Sequence, residues 1–235
     1  MFGFDGDSGI EAIVPSSPAE ASGIRAGDGL VGIGSFSVPA VSGSPDGKAR
    51  LEPLTALYEA LFALPPDQPF PIVLRRGDEE VRVVIQPRPA CRARFEVLLG
   101  RGYIADANGE TIRVGAGIMA RLSDGKLAAI VAHEIAHNIL GHARLSEEQH
   151  VRGGLAGIFG RSARLTRAME DAADRLSLRL LANAGYDPHD AVALWQEDGG
   201  ALTGWMPINT SYRNWRSRAN LLEAELAAMR AGSKR

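Results

Sequence analysis

The spacing of apolar residues divides this chain of 235 residues into two contrasting parts. Up to about Pro89, apolar and β-branched residues form short runs that Gly, Pro and Ser interrupt, which is typical of strands joined by turns. The pattern predicts four strands, at residues 10–14, 30–33, 72–74 and 81–85. Apolar residues at helical spacing also predict one helix over residues 51–62, which Pro65 and Pro66 would end.

After residue 90 the pattern changes to that of long helices. An Asn108-Gly109 turn predicts a hairpin that joins residues 103–105 to residues 111–114. Helices are predicted at residues 123–140, 162–184, from Asp187-Pro188 onward, and 212–229. Ser123 is suited to cap the first of these helices, and Gly141 is suited to end it in a left-handed conformation.

The Pro-rich segment at residues 86–90 is typical of a linker between these two parts. We therefore predict an α+β protein with two domains. A small β-rich domain would cover residues 1–88, and a mainly helical domain with a short hairpin would cover residues 89–235.

Composition narrows the classes of partner and of metal site. The formal net charge of -2 and the lack of a basic stripe argue against a nucleic-acid partner. A single cysteine, Cys91, excludes an internal disulfide and a multi-cysteine metal site, so a metal would need histidine and carboxylate ligands. No apolar run approaches the roughly 18 to 20 residues of a membrane span, so we predict no transmembrane segment in this chain.

The strongest chemical signal is the sequence His133-Glu134-Ile135-Ala136-His137 inside the first long predicted helix. A spacing of four residues brings both imidazoles onto one helix face, where they can share a metal ion. Glu134 would then reach a water at the metal's open position and take its proton. The alternative is a pair of packed or solvated histidines, but the helix is strongly apolar, and buried polar groups need a partner.

A catalytic zinc site needs a third protein ligand, and Glu170 on the next long helix is the candidate. Asp174 lies one turn further along the same face, where it can accept a hydrogen bond from the free ring nitrogen of a ligand histidine. The alternative is a solvent-facing acidic patch on that helix.

Residues 95–222 resemble the HtpX and Oma-type gluzincin metallopeptidases of peptidase family M48. The resemblance rests on residues 111–118, 122–142, 170–176 and 184–188. It implies that His133, His137 and Glu170 bind one zinc ion, that Asp174 supports a histidine, and that Glu134 is catalytic. It also implies an endopeptidase with polypeptide substrates.

The same resemblance makes the strand at Glu110, Thr111, Ile112, Arg113 and Val114 the edge strand over the cleft, to which an extended substrate would add. The alternative is a plain hairpin arm.

Several further positions near the expected site carry weaker signals. Many relatives have a His-Pro pair before the last helix, where this chain has Trp205-Met206-Pro207. One of Arg213, Arg216 and Arg218 is a candidate for stabilising an oxyanion, although exposed helix arginines are the default expectation. We expect His142 to be a helix-end residue rather than a fourth ligand.

The first 88 residues resemble a PDZ domain of the bacterial protease type, on the Phe2-Gly3-Phe4 segment and residues 10–30. The resemblance implies that Phe2, Gly3 and Phe4 form a loop that binds the C-terminal carboxylate of a peptide, with residues 10–14 and 54–62 as the walls of its groove. The alternative is a small β-sandwich that binds nothing.

A PDZ domain usually has a strand before its carboxylate loop, so we expect a further strand, and with it an export signal or lipid anchor, upstream of the printed start. Relatives that combine the two domains are usually envelope proteins, so we expect a periplasmic or envelope location. The sequence thus predicts a PDZ-guided zinc endopeptidase that acts on unfolded or envelope proteins. The alternative is a non-catalytic peptide-binding or chaperone module with a structural metal site.

Overall fold

The fold is taken from a computed structural model, which describes residues 8–39, 51–89, 93–99, 104–151, 160–205 and 214–232. The chain forms two compact units, Met1–Arg92 and Ala93–Arg235. Helices and small sheets are both present, which makes this a mixed α and β protein. The domain limits 1–88 and 89–235 stay predictions.

The first unit is built around one antiparallel sheet. Its strands are β1 (Ser8–Gly9), β2 (Gly29–Ile33), β3 (Phe36–Ser37), β4 (Phe70–Arg76) and β5 (Glu79–Ile85), and its helices are α1 (Pro18–Ala21) and α2 (Leu51–Ala63). The strand order is β1-β2-β4-β5, and β3 also pairs with β2. The predicted helix at residues 51–62 and the predicted strands at 30–33, 72–74 and 81–85 are confirmed.

The predicted strand at residues 10–14 is wrong, because β1 ends at Gly9. Ile10 still exchanges main-chain hydrogen bonds, donating to the carbonyl of Asp28 and accepting from the amide of Gly27, each at 2.8 Å. Pro15 then lacks the amide needed to continue a ladder, and the chain enters α1 through Ser17, whose hydroxyl caps the helix. Ile10 and Ile13 of this segment pack on the core without forming a strand, and Val14 is exposed.

A buried ion pair ties the sheet of the first unit to the loop before β2. Asp28 is only 1% exposed, and it accepts hydrogen bonds from Nε and Nη2 of Arg76 at 2.7 Å and from the amide of Arg25 at 2.9 Å. The hydrogen bonds from Arg76 lower the pKa of the Asp28 carboxyl despite its burial. This pair lies beside a separate apolar core formed by Ile24, Ile33, Ile72, Leu74 and Ile85.

The second unit is mainly helical. Its strands are β6 (Arg94–Leu98), β7 (Ala105–Ala107) and β8 (Thr111–Gly115). Its helices are α3 (Ala116–Met119), α4 (Asp124–Ile139), α5 (His142–Glu148), α6 (Gly160–Asn183), α7 (His189–Ala193), a π-helical turn (Leu194–Asp198), α8 (Gly199–Trp205) and α9 (Trp215–Gly232). The long helices predicted from the sequence are confirmed. Among the described helices, none combines the length and the apolar character needed to cross a bilayer.

The short sheet of the second unit has the strand order β6-β8-β7. β7 and β8 form the predicted hairpin. In its turn, the side-chain oxygen of Asn108 accepts a hydrogen bond from the amide of Thr111 at 2.8 Å. The parallel strand β6 was not predicted, and it occupies the other side of β8. The prediction that residues 110–114 form an edge strand is therefore wrong, because β8 is paired on both sides over its length.

Helix α4 lies at the centre of the second unit, in contact with α6, α7 and the sheet. Its end is set by Gly141, which has a left-handed φ of 65° that glycine adopts without steric cost. Ser123 precedes the helix in an extended conformation, but its side chain makes no capping hydrogen bond, contrary to the prediction. The core includes fully buried Ile112, Leu178 and Leu222. This packing places α4 beside α6.

Candidate metal centre

Helix α4 brings two imidazoles together on its inner face. The Nε2 atoms of His133 and His137 lie 3.0 Å apart, and the ring centroids are 4.7 Å apart. Both side chains are mostly buried, with 14% and 17% of their surface exposed. Two ring nitrogens this close in a protein interior are well placed to share one cation.

Helix α6 adds a carboxylate to the pair. The two carboxylate oxygens of Glu170 lie 3.3 Å from Nε2 of His133 and 3.4 Å from Nε2 of His137. One atom from each of the three side chains can be chosen so that all lie within 4.8 Å of one another. Two imidazoles and one carboxylate match the donor set of a catalytic zinc site with an open position, so the residues fit the metal that the sequence implies.

Oδ1 of Asp174 lies 3.0 Å from Nδ1 of His133, the ring nitrogen that does not face Glu170. Glu170 and Asp174 are 6% and 2% exposed, so they are not the solvent-facing acidic patch considered as the alternative. A carboxylate on Nδ1 holds the ring in the tautomer whose Nε2 lone pair is free for a metal.

Arg218 on α9 binds this carboxylate pair. Its Nη2 donates to Oδ1 of Asp174 at 2.5 Å and its Nε donates to Oδ2 at 2.9 Å, while Nη1 lies 3.5 Å from Oε2 of Glu170. The guanidinium also stacks on the Trp195 ring at 4.0 Å. Arg218 is only 5% exposed, so the default expectation of an exposed arginine is wrong for this residue.

The pKa values show how strongly these groups are coupled. Burial lowers the pKa of His133, but the hydrogen bonds to Asp174 and Glu170 outweigh burial and raise it to about 10. Burial raises the pKa of Glu170, but the hydrogen bonds from His133 and His137 hold it well below its ordinary value. For Asp174, the charge of Arg218 and the bond from His133 likewise outweigh burial and lower the pKa. Without a metal, a protonated His133 is therefore held between two ionised carboxylates, and a bound cation would take the place of its Nε2 proton.

Glu134 is a separate case, because its pKa is raised and not lowered. Burial is the largest cause, the nearby histidines oppose it, and the negative charges of Glu170 and Asp106 add to it. A carboxylate with a raised pKa is a better proton acceptor, as the predicted role of general base requires.

His142 begins α5, which confirms the prediction of a helix-end residue, but the sequence did not predict that its side chain contacts His137. It is 7% exposed, and its Nδ1 lies 2.9 Å from Nδ1 of His137. Helical spacing could not reveal this contact, because α4 ends before Gly141 and a new helix, α5, begins at His142. Burial is also the main reason that the pKa of His142 is lowered, to about 4.

The hairpin lies against the helix that carries the histidines. The amide of Gly109 donates to the side-chain oxygen of Asn138 on α4 at 2.8 Å. Asp106 on β7 forms two hydrogen bonds with Arg113, at 2.7 and 2.9 Å, and it acts electrostatically on Glu134. β7 therefore carries a negative charge that contributes to the raised pKa of Glu134.

Several residues that the sequence predicted for the site are not among the residues of the metal centre described above. Thr111, Ile112, Arg113 and Val114 belong to the central strand β8, and the carbonyl of Glu110 accepts the amide of Arg94. Arg216 is exposed and stacks on Trp215. The remaining candidates, Phe2, Gly3, Phe4, Met206 and Arg213, lie outside the described residues.

The match to a known family agrees with this geometry. Residues 103–228, more than half of the chain, match the model of peptidase family M48. The chain belongs to peptidase family M48. The M48 region contains α4, α6 and α9, and with them His133, Glu134, His137, Glu170, Asp174 and Arg218. No curated protein matches the chain.

Proposed function

We propose that this M48 protein is a zinc-dependent endopeptidase of the HtpX and Oma-like gluzincin type, acting on unfolded or envelope proteins. The observation that carries the proposal is the convergence of His133, His137 and Glu170, whose ligand atoms all lie within 4.8 Å of one another. Zinc is the metal we infer, because two imidazoles and a carboxylate are a zinc donor set that leaves one position for water or substrate.

Glu134 is the proposed general base. A zinc ion bound here would polarise the substrate carbonyl and acidify a water molecule. The Glu134 carboxylate accepts the proton of that water as it attacks, and then returns the proton to the amine that leaves. The raised pKa of Glu134 favours the first of these transfers, in which the carboxylate accepts the proton. Asp174 and Arg218 keep His133 in position and do not touch the substrate.

We propose that the substrate adds as a strand to β7, in place of the predicted strand at residues 110–114. The amide of Gly115 donates to Ile104 at 2.7 Å and the amide of Asn108 donates to Thr111 at 3.2 Å. In an antiparallel pair, alternate residues face the partner strand, so the main-chain groups of Ala105 and Ala107 point to the opposite edge. No described strand pairs with that edge, which leaves it available to an extended peptide.

For the first unit we propose a PDZ-like domain, at residues 1–88, that recruits or regulates substrates through their C-termini. The support is the resemblance of its sequence together with an antiparallel sheet and the helix α2. Because residues 10–14 do not form a strand, we assign the peptide-binding groove to the carboxylate loop and α2 alone. Titration of the full chain with a peptide that has a free or an amidated C-terminus tests this assignment.

Cleavage of a permanently unfolded protein is the test of the peptidase proposal. The chain is stripped of metal with a chelator, assayed, and assayed again after one equivalent of zinc is restored. We expect hydrolysis only with zinc. Glu134→Gln is the matched variant, because it keeps the side-chain shape and the metal ligands but removes the base.

The outcomes separate the candidate functions. Glu134→Gln should hold a full equivalent of zinc and lose hydrolysis by several orders of magnitude, since the general base is removed. A native chain that holds a full equivalent of zinc and cleaves nothing would instead favour a non-catalytic binding or chaperone module. A native chain that binds no zinc would overturn both.

A further inference from the structure

The two histidines of the metal centre are supported by different groups. His133 has the Asp174 carboxylate at its Nδ1, at 3.0 Å. His137 has no carboxylate at its own Nδ1 among the described contacts, and the atom that lies there is Nδ1 of His142, at 2.9 Å. The position next to the second ligand is therefore occupied by a third imidazole.

The two ring nitrogens of His137 contact different groups. Its Nε2 faces Nε2 of His133 at 3.0 Å and Glu170 at 3.4 Å, which makes it the ligand nitrogen. A ring that uses the Nε2 lone pair as a ligand carries its proton on Nδ1. Nδ1 of His137 must then donate, and the atom within hydrogen-bond distance is Nδ1 of His142.

We propose that His142 is a positioning residue for the metal. Its unprotonated Nδ1 accepts a hydrogen bond from the Nδ1–H group of His137, and this hydrogen bond fixes the orientation and tautomer of that ligand. This inference rests on the proposed zinc site. It makes His142 the counterpart of Asp174, with a neutral imidazole where His133 has a carboxylate. His142 does not touch the reacting atoms.

The local fold places His142 against His137. Gly141, with its φ of 65°, separates α4 from α5, and His142 is the first residue of α5. The side chain is buried, and the two ring planes meet at 76° with centroids 4.8 Å apart. Two nitrogens at 2.9 Å repel each other if both carry a proton or if neither does. Only a donor and an acceptor are compatible with this distance.

Zinc affinity of the full chain, measured by competition with a chromophoric chelator, tests the proposal. His142→Ala removes the acceptor and should weaken zinc binding by about 10- to 100-fold, as loss of such an outer partner does in other metal sites. His142→Asn places an oxygen acceptor near the position of Nδ1 and should recover most of that loss. His189→Ala is the matched control, because His189 is exposed, and it should leave the affinity unchanged.

Equal loss in the alanine and asparagine variants would overturn the proposal, because packing and not the hydrogen bond would then be responsible. Unchanged affinity in His142→Ala would overturn it as well. Both results presuppose a native chain that binds zinc; a native chain without zinc affinity would instead refute the metal site itself.

The native protein offers a second test that does not depend on whether a variant folds. Long-range proton–nitrogen correlation spectra of the zinc-loaded chain report which nitrogen of each imidazole carries the proton. We expect His142 with its proton on Nε2, and His137 with its proton on Nδ1. A His142 ring protonated on Nδ1 would overturn the proposal even if every variant misfolded.

Discussion

At the scale of single residues, the metal centre consists of buried positive and negative side chains that contact one another. Arg218 neutralises Asp174 and approaches Glu170, while Asp174 and Glu170 in turn hold His133. The sequence predicted the ligands because their spacing along α4 and α6 is helical. It named Arg218 as one of three candidate arginines and His142 as a helix-end residue. It did not predict the contacts of these two side chains, because those contacts depend on how α9 packs and on the backbone conformation at Gly141.

Replacing Arg218 with methionine removes the guanidinium that binds Asp174 and approaches Glu170. Removal of one partner from a buried ion pair typically costs about 3–5 kcal/mol of unfolding free energy, and we expect a loss in this range for Arg218→Met in urea unfolding of the metal-free chain. The variant should also bind zinc more weakly, since His133 loses its fixed orientation.

Arg216→Met is the control for this prediction, because Arg216 lies two residues away on the same helix but is exposed. We expect it to change the unfolding free energy by no more than about 1 kcal/mol, as exposed contacts of this kind usually do. Similar losses in the two variants would mean that the buried network does not stabilise the site.

At the scale of elements, the order of three short strands decides where a substrate can bind. The Asn108-Gly109 turn made the hairpin predictable from local sequence. β6 was not predictable in this way, because a parallel partner is joined to β8 through a non-local connection that leaves no local signal. The missing strand is the reason that β8 was mistaken for an edge strand.

Ala107→Pro tests the assignment of the substrate to β7. Proline removes an amide that points away from β8, so the ladder with β8 stays intact while one hydrogen bond to an added strand is lost. We expect kcat/KM to fall by about 2- to 10-fold, equivalent to a hydrogen bond of about 0.5–1.5 kcal/mol. Zinc content should not change.

Ala107→Ser serves as the control, since it keeps the amide and nearly the same volume. Unchanged kcat/KM in the proline variant, with normal zinc content, would place the substrate elsewhere. If kcat/KM is as low in the serine variant as in the proline variant, packing of the side chain at position 107, and not its amide, is responsible for the loss.

At the scale of the whole molecule, the protein has two units with separate apolar cores. The change from short apolar runs to long helical periodicity made this organisation predictable. The identity of the first unit is less accessible to sequence, because its predicted carboxylate loop, Phe2, Gly3 and Phe4, lies outside the described residues. The metal centre belongs entirely to the second unit.

Calorimetry of the full chain should therefore resolve two unfolding transitions that respond to different changes. Free zinc at about 1,000 times its dissociation constant stabilises a binding unit by about 4 kcal/mol, so we expect zinc to raise the transition of the second unit alone. Asp28→Asn should lower the transition of the first unit alone, because it weakens the Arg76 pair. A single transition that moves with both changes would contradict independent cores.

The most direct measurement of the central claim is the position of the metal. Diffraction data from zinc-loaded crystals, collected on both sides of the zinc absorption edge, locate the ion without reference to activity. We predict one anomalous peak per chain, in bonding contact with Nε2 of His133, Nε2 of His137 and the carboxylate of Glu170. A folded chain with no peak there, or with a peak that does not contact Glu170, would contradict the account.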